Sequence, residues 1–226
     1  MTPAWKVMAG TTPPAMAKSS TWADYAREAA ALAKGLAPVC GIDEAGRGPW
    51  AGPVVAAAVI LRPGHIPAGL ADSKTLSRPR REALFHKLAN VAVIGVGRAD
   101  VGEIDRLNIL AATMLAMARA VAGLAEQPGL ALVDGNRAPE LPCAVECLVK
   151  GDARCLSIAA ASIVAKVSRD REMATLADRF PGFGWERNAG YGTAEHRRAL
   201  ARLGPNEMHR RSFAPIRKLL ENPVSI

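Results

Sequence analysis

Five short apolar runs, at 38–45, 54–61, 91–98, 130–134 and 144–150, are separated by stretches in which apolar residues return every three or four positions. Runs of that length, bounded by glycine, proline or polar residues, predict strands, and the intervening periodicity predicts helices. The first two runs flank Gly46-Arg47-Gly48 and a stretch rich in proline and glycine, which opposes helix and favours a tight link between antiparallel neighbours. A third strand arrives before any long helix, so the pattern implies an α/β domain with a mixed sheet.

Helical spacing covers 78–89, 156–176, 194–203 and 214–220. Asp100 and Glu103 form a capping-box start for one continuous stripe from Ile104 to Val121, ending near Gly123. Upstream, Thr21 is placed to cap a helix over 21–36, with Asp24 three positions on. Residues 9–20 carry too few large apolar groups to offset the entropy of ordering, so a mobile tail is expected over 1–20.

Half of the 226 residues are hydrophobic, enough to bury the core of one domain with a small appendage. Lys and Arg number 29 against 21 Asp and Glu, a formal charge of +8 that favours a polyanionic partner without identifying it. The excess is concentrated over 186–218, with eight Lys/Arg and three Glu, although a solvated helical face explains such a run taken alone. Cys40, Cys143, Cys147 and Cys155 fit neither a zinc pattern nor a secreted disulfide scaffold and are expected to be reduced thiols, mostly buried. With no apolar stretch of signal-peptide or membrane-span length, a soluble cytoplasmic chain is expected.

Charge acquires a chemical meaning at the strand ends. Asp43 and Glu44 close the first run, Asp134 closes the fourth, and Asp152 follows the fifth. Carboxylates converging where strands end would repel one another unless a hard divalent cation, magnesium or manganese, neutralised them. Any one of these acids taken alone is better explained as a turn cap or ion-pair partner; the recurrence is what points to a metal. Asp43 and Glu44 face opposite sides of a regular strand, so Glu44 could offer its side chain or its carbonyl. Asp170 rivals Asp152 for the fourth position but follows Lys166 by four residues, as an ordinary helical ion pair would. Asp72 fits turn formation better than metal binding, and the adjacent Lys74 fits a turn or a phosphate contact.

Gly46-Arg47-Gly48 leaves backbone uncovered beside a cation, where a sugar-phosphate could approach closely, although a plain turn has the same composition. Tyr191 offers an aromatic face amid basic residues, and Lys166, Arg169, His196, Arg210 and Arg211 are candidates for phosphate contact. The phosphate-loop pattern is absent, and Gly95-Val96-Gly97 lacks the full dinucleotide fingerprint.

The motifs from Gly41 to Pro49, Asp72 to Ser77, Val133 to Asn136, Lys150 to Asp152 and Ala159 to Asp170 resemble those of bacterial ribonuclease HII in order and spacing. The likeness continues through Gly190-Tyr191-Gly192-Thr193 and His209-Arg210-Arg211-Ser212-Phe213. It implies a ribonuclease H-like mixed sheet flanked by helices, with a core over 37–186, a substrate-gripping helical part over 187–226 and an accessory helix over 21–36. It further implies hydrolysis of RNA in RNA/DNA hybrids, and on the 5′ side of ribonucleotides in duplex DNA, leaving 3′-hydroxyl and 5′-phosphate ends. By the same resemblance Asp43, Glu44, Asp134 and Asp152 bind Mg2+ or Mn2+, while Gly46, Arg47, Gly48 and Tyr191 meet the ribose. Lys74, Lys166 and Arg169 are the further substrate-binding residues, and a monomer is expected. Residues 1–36 exceed the usual minimal enzyme, and Gly192 stands where the family's loop often has proline.

Overall fold

The computed structural model describes residues 23–221. Its centre is a five-stranded mixed sheet in the order β3-β2-β1-β4-β5, built from β1 (Val39–Ala45), β2 (Val54–Ile60), β3 (Val93–Ala99), β4 (Leu130–Asp134) and β5 (Ala144–Leu148). β1 pairs antiparallel with β2 and parallel with β4. The helices are α1 (Ala26–Ala33), α2 (Arg78–Val91), α3 (Val101–Leu107), α4 (Ile109–Ala122), α5 (Leu156–Arg179), α6 (Trp185–Asn188), α7 (Ala194–Leu203) and α8 (Ala214–Glu221). Among the described residues, no helix is long and apolar enough to cross a membrane.

Alternation along β2 supplies both faces of the core. Ala56, Ala58 and Ile60 join Ile104, Ala112, Ala116 and Met117 of α3 and α4, whereas Ala57 and Val59 join Leu84 and Leu88 of α2 and the alanines of α5. Small residues bring the helices close. A β-carbon on Gly95 would lie 2.0 Å from the Ala120 carbonyl oxygen, and one on Gly97 would lie 2.1 Å from that of Ala116. That glycine pair therefore serves helix docking.

The predicted single stripe from 100 to 123 is two helices. The capping box forms, with the Glu103 N–H donating to Asp100 and the Asp100 N–H to Glu103. Asn108, at φ 70°, then interrupts the chain and caps α4 by accepting from the N–H groups of Leu110 and Ala111. Because apolar positions run on through the break, periodicity conceals it. α5 continues three residues past the expected end, to Arg179.

The N-terminal helix is tied to α5. Glu28 is fully buried, and its Oε1 accepts from the Ser157 N–H at 2.8 Å and the Ser157 hydroxyl at 2.7 Å, satisfying the first turn of α5. The expected Thr21 cap and the 1–20 tail lie outside the described residues, and α1 itself begins at Ala26. All four cysteines are free thiols, with Cys40 and Cys155 buried. At the far end, Trp185, Phe183, Leu200 and Ile216 close a smaller core over Ala51 and Met173.

Candidate active site

Register places the acids. Ile42 of β1 lies beside Val133 of β4, so Asp43 and Asp134 emerge next to each other at the same end of the sheet. Lys150 takes a left-handed conformation, φ 57°, and turns the chain into a short 3-10 segment, Gly151–Ala153, that presents Asp152. The Gly151 N–H donates to Asp134 Oδ1 at 2.7 Å and fixes that carboxylate. One oxygen from each of Asp43, Asp134 and Asp152 then falls within 4.8 Å of the other two.

Glu44 lies outside this trio. Gly41 faces α5 so closely that a β-carbon there would lie 2.1 Å from the Ser157 carbonyl carbon; Asp43 shares that face and Glu44 takes the other. The Glu44 side chain still lines the same cavity, with Oε1 3.2 Å from the Arg47 guanidinium. The rival Asp170 bonds Lys166 at 2.7 Å, and Asp72, near enough for its charge to act on Asp152, accepts from the Lys74 N–H.

Electrostatics give the cluster its chemistry. Burial, followed by the Glu44 and Asp134 charges, holds the Asp43 carboxyl well above the usual range. Burial also raises Asp152, assisted by Asp72 and Asp134, while Lys74 opposes the rise. Lys74 comes within 3.7 Å of Asp152 on a largely exposed side chain. An all-oxygen set of crowded carboxylates fits a hard divalent cation such as magnesium or manganese better than zinc.

The same cavity, about 240 Å³, is also lined by Gly46, Arg47, Gly48, Lys166 and Tyr191. Gly46, at φ 99°, rests on the Arg169 side chain, where a β-carbon would lie 2.0 Å from Nε. Gly48 differs. Its nearest neighbour to such a carbon is Tyr191, at an ordinary 3.5 Å, so the protein interior gives no reason for glycine there. Tyr191 is itself 46% exposed.

Arg169, Arg210 and His196 prove to be bound within the protein, although Arg169 also lines the cavity. Arg169 is only 1% exposed and donates to the carbonyls of Ala51, Pro53 and Ala189. Arg210 is buried on four carbonyls, and His196 is buried against Trp185 and His209. Arg211 remains exposed. Ser73 and Ser162, which the sequence did not single out, also line the cavity, and their hydroxyls lie 2.9 Å apart. The signal for Ser162 was its position one helical turn before Lys166.

A mixed sheet with helices on both faces and carboxylates at the ends of its central strands is the ribonuclease H-like architecture. The sequence model of the family described as Ribonuclease HII matches residues 40–216. A ribonuclease HII of Cereibacter sphaeroides (strain KD131 / KCTC 12085) is 56% identical over 207 residues, covering 91% of this chain and 98% of its own. The crystal structure of ribonuclease H2 from Pyrococcus horikoshii OT3 superposes with a TM-score of 0.68 at 30% identity, over 81% of this chain and 97% of that one. Bst-RNase HIII, solved in complex with Mn2+, shares the fold at a TM-score of 0.64 and 23% identity, over 81% of this chain and 69% of that one. The chain belongs to the ribonuclease HII family. Its activity is that of a metal-dependent nuclease of the ribonuclease H class, acting on RNA/DNA.

Proposed function

We propose that this enzyme nicks duplex DNA on the 5′ side of an embedded ribonucleotide, as well as cutting RNA in RNA/DNA hybrids, and leaves 3′-hydroxyl and 5′-phosphate ends. The observation that carries this reading is the bare Gly48, which lines the same cavity as Asp43 and Asp134 with no packing reason for lacking a side chain. Asp43, Asp134 and Asp152 would hold Mg2+ or Mn2+, with Glu44 completing the set from the far side of β1. Two such ions, when bound, activate a water and stabilise the oxygen leaving phosphorus.

The chain's own groups position the substrate. The Gly151 N–H keeps Asp134 aimed at the other acids. Ser162 and the Glu44 N–H both favour the charged form of Asp43, offsetting part of its burial. The Gly46-Arg47-Gly48 backbone and Tyr191 would hold the ribose, whose 2′-hydroxyl separates RNA from DNA, and Lys74 and Lys166 would take flanking phosphates.

One duplex prepared with and without a single ribonucleotide tests the reading. The purified protein in Mg2+ or Mn2+ is expected to nick only the ribonucleotide-containing form, at its 5′ side. Equal cutting of the all-DNA duplex overturns the ribose assignment. Asp134→Asn is expected to abolish nicking while leaving the fold and most duplex affinity intact, and cutting at the parent rate refutes the acid site.

A further inference from the structure

Two buried arginines shape the glycine loop from behind. Arg210 Nη2 donates to the Gly46 carbonyl at 2.6 Å and to that of Pro53 at 3.1 Å, Nη1 to Arg47 at 3.1 Å, and Nε to Gly52 at 2.9 Å. Arg169 beneath it takes Pro53, Ala189 and Ala51 at 2.9, 2.9 and 3.1 Å. Six carbonyls converge on two guanidiniums. Burial lowers both arginines, Arg210 to about 9 with Arg169 contributing and Arg169 to about 10, so both remain protonated at neutral pH.

A trans peptide points its N–H opposite to its C=O. With the Gly46 and Arg47 carbonyls drawn inward by Arg210, the N–H groups of Arg47 and Gly48 are turned outward on the loop that lines the cavity. Neither finds an acceptor among the described residues. Paired outward N–H groups of this kind form a concavity for an oxygen-rich ligand.

We propose that Arg210 is a positioning residue for ribose recognition: by gripping the Gly46 and Arg47 carbonyls it presents the Arg47 and Gly48 N–H groups to the sugar-phosphate of the ribonucleotide. The inference rests on the ribose reading given above. It assigns the C-terminal segment a part in specificity besides any grip on the duplex. That segment is held firmly: Ala51 bridges His209, the Arg210 N–H donates to the Trp50 carbonyl, and Asp105 accepts from the N–H groups of Arg211 and Ser212 and from the Ser212 hydroxyl.

Affinity for the same duplex with and without one ribonucleotide, measured in EDTA so that nothing is cut, tests the proposal. The parent is expected to prefer the ribonucleotide form. Arg210→Lys, which keeps the charge but cannot span four carbonyls, should lose about tenfold of that preference. Its all-DNA affinity and its Mn2+ affinity by calorimetry should stay within about twofold. Should Arg210→Lys fail to fold, Asp105→Ala loosens the same segment without touching the guanidinium, and about a threefold loss is expected. A full parental preference in the folded variant, or a joint loss of both duplexes and Mn2+, overturns the positioning role alone. A parent without preference instead refutes the ribose reading, and the proposal with it.

Discussion

Gly192 lies against the Trp50 ring so closely that a β-carbon on it would fall 2.2 Å from Cζ2. The glycine at this position thus accommodates an indole. Trp50 in turn is held in the loop by its N–H, which donates to the Gly190 carbonyl at 2.8 Å, and by its carbonyl, which accepts from Arg210.

Gly192→Pro should therefore cost about 1–3 kcal/mol of stability by overpacking. Adding Trp50→Leu should recover part of that loss. Urea melts of the two variants decide the matter: a stable Gly192→Pro protein with Trp50 intact would show that the ring has room to move.

Lys74 occupies the approach to the acids as a competing cation, 3.7 Å from Asp152 and from Asp72. Its side chain is 78% exposed, so screening keeps the effect modest. Lys74→Ala should raise Mn2+ affinity of the free protein by about two- to fivefold in calorimetric titration. Unchanged or weaker binding would exclude Lys74 from the electrostatics of metal entry.

Glu28→Ala strips α5 of the carboxylate that satisfies its first turn and leaves the buried Ser157 N–H and hydroxyl unpaired. A loss of about 1–3 kcal/mol is expected in denaturant melts, with nicking per folded molecule unaltered. A stability equal to the parent's would mean that water replaces the carboxylate.

His209 brings a pH dependence. Burial, then the neighbouring His196, lowers its folded pKa from 6.5 to about 4. An unfolded imidazole takes up its proton first as pH falls, so this contribution is whole above 6.5 and is lost on the way to 4. Its full size is roughly 3 kcal/mol. His209→Phe should flatten the decline in stability between about pH 7 and 4.5 relative to the parent, and parallel curves would contradict the shift.

Local pattern reveals what ends a strand better than what lies under a loop. Asp43 and Asp134 could be read because each terminates an apolar run, and a shared strand end brings them together. Asn108 was hidden because the apolar stripe continues through it, and only its positive φ betrays the break. The inward bonding of Arg169, Arg210 and His196 is illegible for another reason. In a basic chain, composition does not distinguish a guanidinium spread over carbonyls from one in water; for the two arginines most of the partners that decide it lie more than a hundred residues away, and His196 is claimed by Trp185 and His209. Glu28 escaped notice likewise, since its partner Ser157 lies 129 positions downstream.

Helix α5 has its N-terminus bound by Glu28, its middle lining the cavity through Ser162 and Lys166, and Arg169 beneath the glycine loop. Ser157 and Arg169 are about 18 Å apart along its axis. The length of helix α5 between Ser157 and Arg169 is accordingly fixed at both points at once. The helix is buried all round from Ser157 to Ala165, and a single residue gained or lost after Ser157 would rotate every later side chain by about 100° and swing Ser162, Lys166 and Arg169 off their targets together.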